Sequence, residues 1–478
     1  MQVLFAAAEL APWIQVGGLG DVVGSLPAAL RAEGIDARVC IPAHAHVLDA
    51  APDPTLVGRF EIPHASGALP AEVHLTRLGE VPVYMIGGPP IPPNGLVYTG
   101  RMDEEGHRFA FFSLAVIELA RRLRPFVDVL HAHDWHASLA VWALARRRRG
   151  DPALRDVTSV LTVHNLPYAG FGTEGALDGF SIGASDDERL PPHLRRVPLA
   201  LGLVAADAIT TVSPGYAREI LGGEHGHGFE TLLRARHEDL TGILNGLDVE
   251  RWDPAHDTAL EMPYSATDPS GRARCRTALA RELGLPTELP IVGVISRLVA
   301  QKGIDVAVGA LRRLGEGFAA VFLGEGEPHL EYETRALAKD LPGRVHARIG
   351  FDAALARRIY AGADMLLLPS RYEPCGMTQM IAMRYGCLPI ACETGGLADT
   401  VADLDLDASP TGLLFPEPTA AGAAFALRRA FAARARGAIW EGMVENAMAR
   451  DFSWRASARA YVAKYEEARR RTDPEARR

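Results

Sequence analysis

Short apolar runs alternate with longer amphipathic stretches along the chain, and this alternation restricts the possible folds more than any other feature of the sequence. In the first half the apolar runs lie at 3–8, 37–41, 81–86, 127–131 and 159–163. Between them lie stretches with helical periodicity, such as 109–124. This pattern is typical of βα units that build a mostly parallel sheet.

The pattern then starts again in the second half. A segment rich in Pro, Asp and Ser at 254–270 is followed by new apolar runs at 291–295, 319–323, 346–349, 365–368 and 388–391. A chain of 478 residues also exceeds what one hydrophobic core usually organises. We therefore predict two doubly wound α/β domains joined near residue 245, with a final helix from Asp451 and a ligand-binding cleft at the carboxyl ends of the strands.

Composition excludes several classes of protein. A net charge of -9 argues against a broad nucleic-acid surface, and no apolar run is long enough for a membrane span. The five cysteines form neither a CxxC pair nor an even framework, so we expect no disulfides or structural zinc and a reducing, cytoplasmic environment. The apolar N-terminus lacks a basic region and carries Glu9, which predicts a buried first strand and not a signal peptide.

The first strand is followed by a glycine-rich loop that runs from Gln15 to Asp21 and includes Gly17 and Gly18. Glycines at such a turn let backbone N–H groups and a helix N-terminus approach a phosphate or a sugar. The alternative is a purely structural turn in which Asp21 caps the helix.

A cluster of histidines follows the fourth apolar run. His131, His133 and His136 surround Asp134 and Trp135, and clustered His and Asp can bind zinc. The structural alternative is that the histidines are core residues while Asp134 and Trp135 face sugar hydroxyls and pyranose rings. His164 and Asn165 follow the next run and offer another donor and acceptor pair, for which core packing is again the alternative.

In the second half, Ser296 and Arg297 end the first strand and Lys302 opens the next helix. Two cations at a helix start are suited to binding a diphosphate. Surface charge is the usual explanation for a basic pair. Only three of the fifty basic residues are lysine, however, so Lys302 suggests a site that needs a compact ammonium group.

The most specific segment, 369–379, leaves the strand at 365–368 and contains Glu373, Cys375, Gly376 and Thr378. Glu373 can accept hydrogen bonds from sugar hydroxyls, and Gly376 exposes backbone N–H groups at a helix start. The competing interpretation makes Glu373 a helix cap. For Cys375 the alternatives are a reactive thiol and a small packing residue, and we favour packing. Paired glycines at 395–396 follow the next strand.

Seven motifs carry a resemblance to a known family: GGLGD, HDWH, HN, NGLD, SRLxxQKG, PSRYEPCGMTQ and TGGLADTV. In order and spacing they resemble the bacterial glycogen synthases and plant starch synthases along nearly the whole chain. The resemblance implies a GT-B fold, with two Rossmann-like domains facing a central cleft. It implies an acceptor-binding domain at 1–244, a nucleotide-sugar-binding domain at 245–450, and a helix at 451–478 that packs back on the first domain.

The resemblance implies transfer of glucose from ADP-glucose to the non-reducing end of an α-1,4-glucan, with retention of configuration and without metal or cofactor. Arg297 and Lys302 resemble the pair that holds the diphosphate, Glu373 the glutamate at the transferred glucose, and His164 the histidine that hydrogen-bonds this sugar. Other substrate-binding positions are Gln15, Gly17, Gly18, Asp21, Asp134, Asn165, Asn245, Ser296, Cys375, Gly376 and Thr378.

Two departures from the family are visible. Gln15 stands where the synthases usually have lysine, which predicts weaker donor binding or an altered nucleotide preference. The resemblance also fades between 171 and 203, and we expect this departure to affect how the acceptor is bound. Three alternatives stay open: a related enzyme that uses UDP-glucose or a small acceptor, a metal-dependent hydrolase built on His131, His133 and His136, and a non-catalytic glucan-binding protein.

Overall fold

The computed structural model describes residues 1–472, which form two compact units. The first unit runs from Met1 to Gly246 and resumes at Trp454, and the second comprises Leu247–Ser453. The chain therefore passes between the units at 246/247 and at 453/454. The domain bounds that the family resemblance implied were 244/245 and 450/451. Residues 473–478 of the predicted final helix lie outside the described residues.

A nine-stranded sheet forms the centre of the first unit. Its strands are β1 (Gln2–Ala6), β2 (Asp36–Pro42), β3 (Thr55–Ile62), β4 (Leu69–Leu78), β5 (Val81–Gly87), β6 (Val129–His133), β7 (Thr158–Val163), β8 (Ala208–Thr211) and β9 (Leu240–Gly242). The spatial order is β3-β4-β5-β2-β1-β6-β7-β8-β9. All neighbours are parallel except β3 with β4 and β4 with β5. The loops after β1, β6 and β7 consequently leave the same edge of the sheet side by side.

Helices follow most strands of this unit. They are α1 (Gly18–Ala32), α2 (Val47–Ala50), α3 (Met102–Arg122), α4 (Asp134–Arg147), α5 (Glu174–Gly179), α6 (Pro198–Ala205), α7 (Pro214–Glu219) and α8 (Glu230–Ala235), with a 3₁₀ turn at Pro192–Leu194. The strands carry continuous apolar runs because helices cover a parallel sheet on both faces.

The second unit is a six-stranded, fully parallel sheet with helices. In chain order its elements are α9 (Ser270–Leu283), β10 (Ile291–Ile295), a 3₁₀ turn (Ala300–Lys302), α10 (Ile304–Leu314), β11 (Ala319–Gly324), α11 (Pro328–Asp340), β12 (Val345–Ile349), α12 (Ala353–Gly362), β13 (Met365–Leu368), α13 (Thr378–Arg384), β14 (Leu388–Cys392), α14 (Gly395–Thr400), β15 (Leu413–Phe415), α15 (Ala420–Ala435) and α16 (Ala438–Met448). The spatial order is β12-β11-β10-β13-β14-β15. Strand order reverses beside β10, which is the usual ligand position in a doubly wound sheet.

The last helix, α17 (Trp454–Thr472), belongs to the first unit. It packs against α1 and β7, and its residues Trp454, Tyr461 and Tyr465 are buried in the core of that unit. The Ser457 hydroxyl donates to the Leu244 carbonyl at 2.6 Å. The end of the chain thus completes a core that begins with the first strand.

The structure corrects two details of the predicted elements. Strand β6 begins and ends two residues later than expected, at Val129–His133, so His131 and His133 lie within the sheet. The antiparallel pair β3 and β4 was not predicted, because β3 is mostly exposed and lacks an apolar run. Among residues 1–472, no helix combines the length and the apolar character that crossing a membrane requires.

Candidate active site

In the second unit, a left-handed glycine brings Lys302 against the loop that follows β13. Gly303 has φ of 64°, and a Cβ atom there would lie 2.0 Å from the Pro369 carbonyl oxygen. Arg371 N–H donates to the Gln301 carbonyl at 2.9 Å across the same contact. Only glycine permits this close approach, so the turn Ala300–Lys302 and the loop from Pro369 are held together.

The ammonium group of Lys302 lies 2.5 Å from Oε2 of Glu373, and the Ser370 hydroxyl donates to the same oxygen at 3.1 Å. The side chain of Glu373 is 9% exposed and that of Lys302 is 21% exposed. Oε1 of Glu373 has no hydrogen-bond partner among residues 1–472. Glu373 is not a helix cap, since α13 begins five residues later at Thr378. Its carboxylate fixes the lysine and keeps one oxygen for a ligand.

The loop that carries Glu373 is fixed from behind. The Glu373 carbonyl accepts from Gly396 N–H at 2.9 Å, and a Cβ atom at Gly396 would lie 2.0 Å from the Cys375 carbonyl oxygen. Gly376 has φ of 69°, and the buried Gln379 amide donates to the carbonyls of Cys375 and Gly376 at 3.1 and 2.7 Å. Gly396 therefore supports the loop through its backbone.

A small, partly open pocket lies at this edge of the sheet. Gly376 lines it, and its polar side chains are those of Ser296, Lys302, Ser370, Glu373, Thr378 and Gln379. Arg297 does not line this pocket. It lies exposed on the preceding loop, and within residues 1–472 its guanidinium makes no hydrogen bond or ion pair. Cys375 is buried and does not line the pocket either.

One exposed aromatic residue at this edge was missed in the sequence. Phe351 follows β12 and is 87% exposed. The carboxyl ends of the parallel strands β12, β11 and β10 lie along one edge, so Phe351 stands on the same side of the sheet as Lys302. The sequence contained this signal, since Phe351 lies two residues after the apolar run at 346–349. An exposed ring at a ligand-binding edge offers a surface for stacking.

In the first unit, Glu9 organises the glycine-rich loop. Glu9 is 3% exposed, and its Oε2 accepts from the backbone N–H groups of Val16 and Gly17 at 2.7 and 3.0 Å. Its Oε1 accepts from the Tyr98 hydroxyl at 2.6 Å, and burial beside this carboxylate raises the pKa of Tyr98. The expectation that the loop's N–H groups face a ligand is therefore wrong for these two. A buried carboxylate requires such donors.

Gln15 and Asp21 form a hydrogen-bonded pair at the start of α1. The Gln15 amide donates to Asp21 Oδ2 at 2.6 Å. Asp21 lies inside the first turn of a helix that begins at Gly18, so it is not the N-cap residue. Gly17 precedes the helix and is exposed like Gly18.

The histidine cluster belongs to the core of the first unit. The ring nitrogens of His131 pair with the Tyr465 hydroxyl at 2.7 Å and the Thr162 hydroxyl at 2.6 Å. Burial lowers the pKa of His131 and of His136 to about 3. Within residues 1–472, no group of three or more His, Cys, Asp or Glu side chains is arranged to hold a metal ion. Within the described part of the chain, the histidine cluster therefore provides no set of ligands for a zinc ion.

Asp134 supports the loop after β7. Its backbone is left-handed, with φ of 54°, and its Oδ1 accepts from the backbone N–H of His164 at 2.7 Å. Burial raises the pKa of Asp134 to about 7, against the effect of this bond and of the bond from the Asn165 backbone. Asp134 therefore positions the backbone of the loop that carries His164 and Asn165.

His164 and Asn165 are half-buried at the carboxyl end of β7. Nε2 of His164 lies 2.9 Å from Nδ1 of His133, and burial lowers the pKa of His164 to about 3. The amide oxygens of Asn165 and Asn245 are buried without a hydrogen-bond partner among the described residues. Such orphaned acceptors are costly unless a ligand or water satisfies them.

The architecture and the polar loop ends define the class: this is a glycosyltransferase with the GT-B fold. Two family models match, the starch synthase catalytic domain over residues 2–235 and glycosyl transferases group 1 over residues 276–441. The chain belongs to the family of glycogen and starch synthases. It is 41% identical to the glycogen synthase of Anaeromyxobacter dehalogenans, over 97% of this chain and 98% of that protein.

A second glycogen synthase and a solved starch synthase structure also match the chain over almost its whole length. The chain is 38% identical to glycogen synthase 2 of Rhizobium meliloti, over 98% of each chain. Among solved structures it resembles the catalytic domain of starch synthase IV from Arabidopsis thaliana, determined with ADP and acarbose bound. The TM-score is 0.87 at 32% identity, covering 98% of this chain and 99% of that one.

Proposed function

We propose that the protein transfers glucose from ADP-glucose to the non-reducing end of an α-1,4-glucan, with retention of configuration, in glycogen biosynthesis. The observation that carries this proposal is the cluster of Lys302, Glu373 and Ser370 at the switch point of the second sheet, in a chain 41% identical to a glycogen synthase. ADP and acarbose, bound by the plant relative, correspond to the two substrates proposed here.

Stabilising the leaving group is the main chemical task. When the bond from the glucosyl carbon to the diphosphate breaks, negative charge accumulates on the departing ADP. Preorganised cations and helix N–H groups at that position lower the barrier. We assign this role to Lys302, which Glu373 holds in place, and to Arg297, whose guanidinium makes no ion pair among the described residues and is available for a phosphate.

The glucosyl group develops positive charge as the bond breaks. Oε1 of Glu373 is available to accept from a sugar hydroxyl, and a carboxylate nearby also favours a cationic sugar. We propose that the acceptor hydroxyl attacks from the side the diphosphate leaves, forms the new bond to the glucosyl carbon, and passes its proton to a phosphate oxygen. This sequence retains the configuration without a protein nucleophile, metal ion or cofactor.

We assign donor binding to the second unit and glucan binding to the first, where Asn165 and Asn245 carry unsatisfied acceptors. The predicted contact of His164 with the transferred glucose is part of the same proposal. The absence of disulfides among the five cysteines fits a cytoplasmic reaction.

A second candidate is favoured by one specific observation. Gln15 places a neutral amide, bonded to Asp21, where a family lysine would carry charge. An enzyme with UDP-glucose as donor, or with a small acceptor, is compatible with this change.

The decisive experiment incubates the purified protein with ADP-glucose or UDP-glucose, with or without glycogen, and measures released nucleotide without added metal. We expect glycogen-dependent release of ADP that EDTA does not inhibit. Preferential release of UDP, or transfer to maltose but not to glycogen, would establish the second candidate. EDTA-sensitive hydrolysis without glycogen would refute both.

A further inference from the structure

His133 and His164 form a hydrogen-bonded imidazole pair in which the first ring is buried and the second is half-buried. Nδ1 of His133 lies 2.9 Å from Nε2 of His164, and the two rings are 5.2 Å apart. His133 is completely buried in β6, whereas His164 is half-buried in the loop that follows the neighbouring strand β7. The first ring is therefore fixed in the core and the second faces the loop edge.

Both rings are neutral at physiological pH. Burial lowers the pKa of His164 to about 3 and that of His133 well below its usual value. A neutral imidazole carries a single N–H, so the hydrogen bond between the rings can form in only two ways. Either Nδ1–H of His133 donates to Nε2 of His164, or Nε2–H of His164 donates to Nδ1 of His133.

The other nitrogen of His133 distinguishes the two arrangements. Nε2 of His133 is buried and has no hydrogen-bond partner among residues 1–472. In the second arrangement this nitrogen would carry a buried N–H with no acceptor, a group that native structures rarely tolerate. In the first arrangement it carries only a lone pair. The first arrangement is the favoured one, and it places the proton of His164 on Nδ1.

Nδ1 of His164 is the nitrogen left for a ligand. It has no protein partner among the described residues, and it is not one of the buried unpartnered atoms. We propose that His133 is a positioning residue that fixes the Nδ1–H tautomer of His164, so that His164 acts as an uncharged hydrogen-bond donor to the glucosyl group. This inference rests on the proposed function for the identity of the ligand, but the tautomer itself does not.

An uncharged donor suits the reaction. An imidazolium beside the sugar would oppose the positive charge that develops there, whereas a neutral N–H can bind a hydroxyl oxygen without adding charge. The Asp134 bond to the His164 backbone at 2.7 Å fixes the main chain, and His133 fixes the ring. Together they leave the ring little orientational freedom.

The test uses the full-length protein labelled with ¹⁵N-histidine, without ligand. NMR distinguishes protonated from unprotonated ring nitrogens, and a His164→Gln variant assigns the signals. We expect wild-type His164 to be protonated on Nδ1. A wild-type spectrum with the proton on Nε2 would overturn the proposal, whatever the protein's activity proves to be.

Two variants complete the test. His133→Asn keeps an amide N–H that can be placed near the position of Nδ1, and His133→Leu has similar volume but no donor. We expect His164 in the Leu variant to lose its single tautomer. The same variant should have a kcat about tenfold to a hundredfold lower, with little change in the KM for ADP-glucose. The Asn variant should retain the Nδ1–H tautomer of His164 and most of the wild-type kcat. An unchanged tautomer in the Leu variant would refute the positioning role.

His131→Asn serves as the control for disturbance of the core. It removes a buried imidazole from the same strand, 4.2 Å from the His133 ring, but His131 forms no hydrogen bond with His164. We expect it to lower the unfolding temperature and to leave the His164 tautomer unchanged. If His131→Asn shifted the tautomer as His133→Leu does, the effect would be structural and the proposal would fail.

Discussion

The Lys302 ammonium group contacts Oε2 of Glu373 at 2.5 Å, although 71 residues separate them in the chain. Each charge in this pair is mostly buried and each needs the other, since an isolated buried ion is strongly unfavourable. The pair therefore couples donor binding to the geometry of the 369–379 loop.

Replacement of Lys302 should identify its part in leaving-group stabilisation. We expect Lys302→Ala to lower kcat/KM for ADP-glucose about 100-fold to 1000-fold, the usual effect of removing a preorganised donor. Lys302→Arg preserves the charge and should lose less. Steady-state kinetics measure both effects, and Lys339→Ala, on the exposed face of α11, is the lysine control. Near-normal turnover of the Ala variant would remove Lys302 from the mechanism.

Asp134 predicts a pH dependence of stability. Its pKa rises from 3.8 in the unfolded chain to about 7 in the folded protein, so the folded state binds the proton more tightly. Between these values the wild-type protein loses stability as pH rises, by at most about 1.4 kcal/mol per pH unit. Asp134→Asn keeps an acceptor for the His164 backbone and has no proton to lose.

Urea unfolding of both proteins from pH 4 to pH 8 tests this prediction. The difference in stability should move in favour of Asp134→Asn up to about pH 7 and then level off. Titration of the buried histidines is common to both proteins and cancels in the difference. A difference that does not vary with pH would show that Asp134 ionises normally.

Phe351 should contribute to nucleotide binding. Stacking of a base on an aromatic ring is worth about 1–3 kcal/mol, so Phe351→Ala should raise the KM for ADP-glucose about fivefold or more, with kcat little changed. Phe351→Trp should preserve binding. Phe425, which is 62% exposed on α15, provides the matched control for loss of an exposed ring. Equal KM values for the two Ala variants would contradict a stacking role.

Gln15 should limit donor affinity. Gln15→Lys turns its hydrogen bond with Asp21 into a charged contact and adds a cation at the glycine-rich loop. If this position faces the donor phosphates, the KM for ADP-glucose should fall about tenfold, as a charge-assisted hydrogen bond would provide. Gln15→Met controls for loss of the amide. An unchanged donor KM in Gln15→Lys would refute this interpretation.

The sequence predicted those parts of the fold that depend on apolar burial. Strands such as Ile291–Ile295 and Met365–Leu368 were located to the residue because a buried parallel strand is a continuous apolar run. Strand Thr55–Ile62 was missed because its exposed side chains give no such run. The end of β6 was misplaced because His131 and His133 are polar residue types that the sheet nevertheless buries.

The candidate site was only partly predictable for a related reason. Lys302, Glu373, His164 and Asn165 were found because they lie in the segments that follow predicted strands. Their partners were not, since the contacts of Lys302 with Glu373 and of His133 with His164 depend on tertiary packing. Glu9 was noted only as a charge in an apolar segment, and its bonds to Val16 and Gly17 required the folded loop.

The position of α17 has a consequence for how the protein forms during translation. Trp454, Tyr461 and Tyr465 complete a core whose first strand is Gln2–Ala6, so the unit that the ribosome begins first lacks part of its interior until α17 has been made. The intervening unit, Leu247–Ser453, is contiguous and can fold as soon as it emerges. The domain synthesised second is thus able to mature before the domain synthesised first.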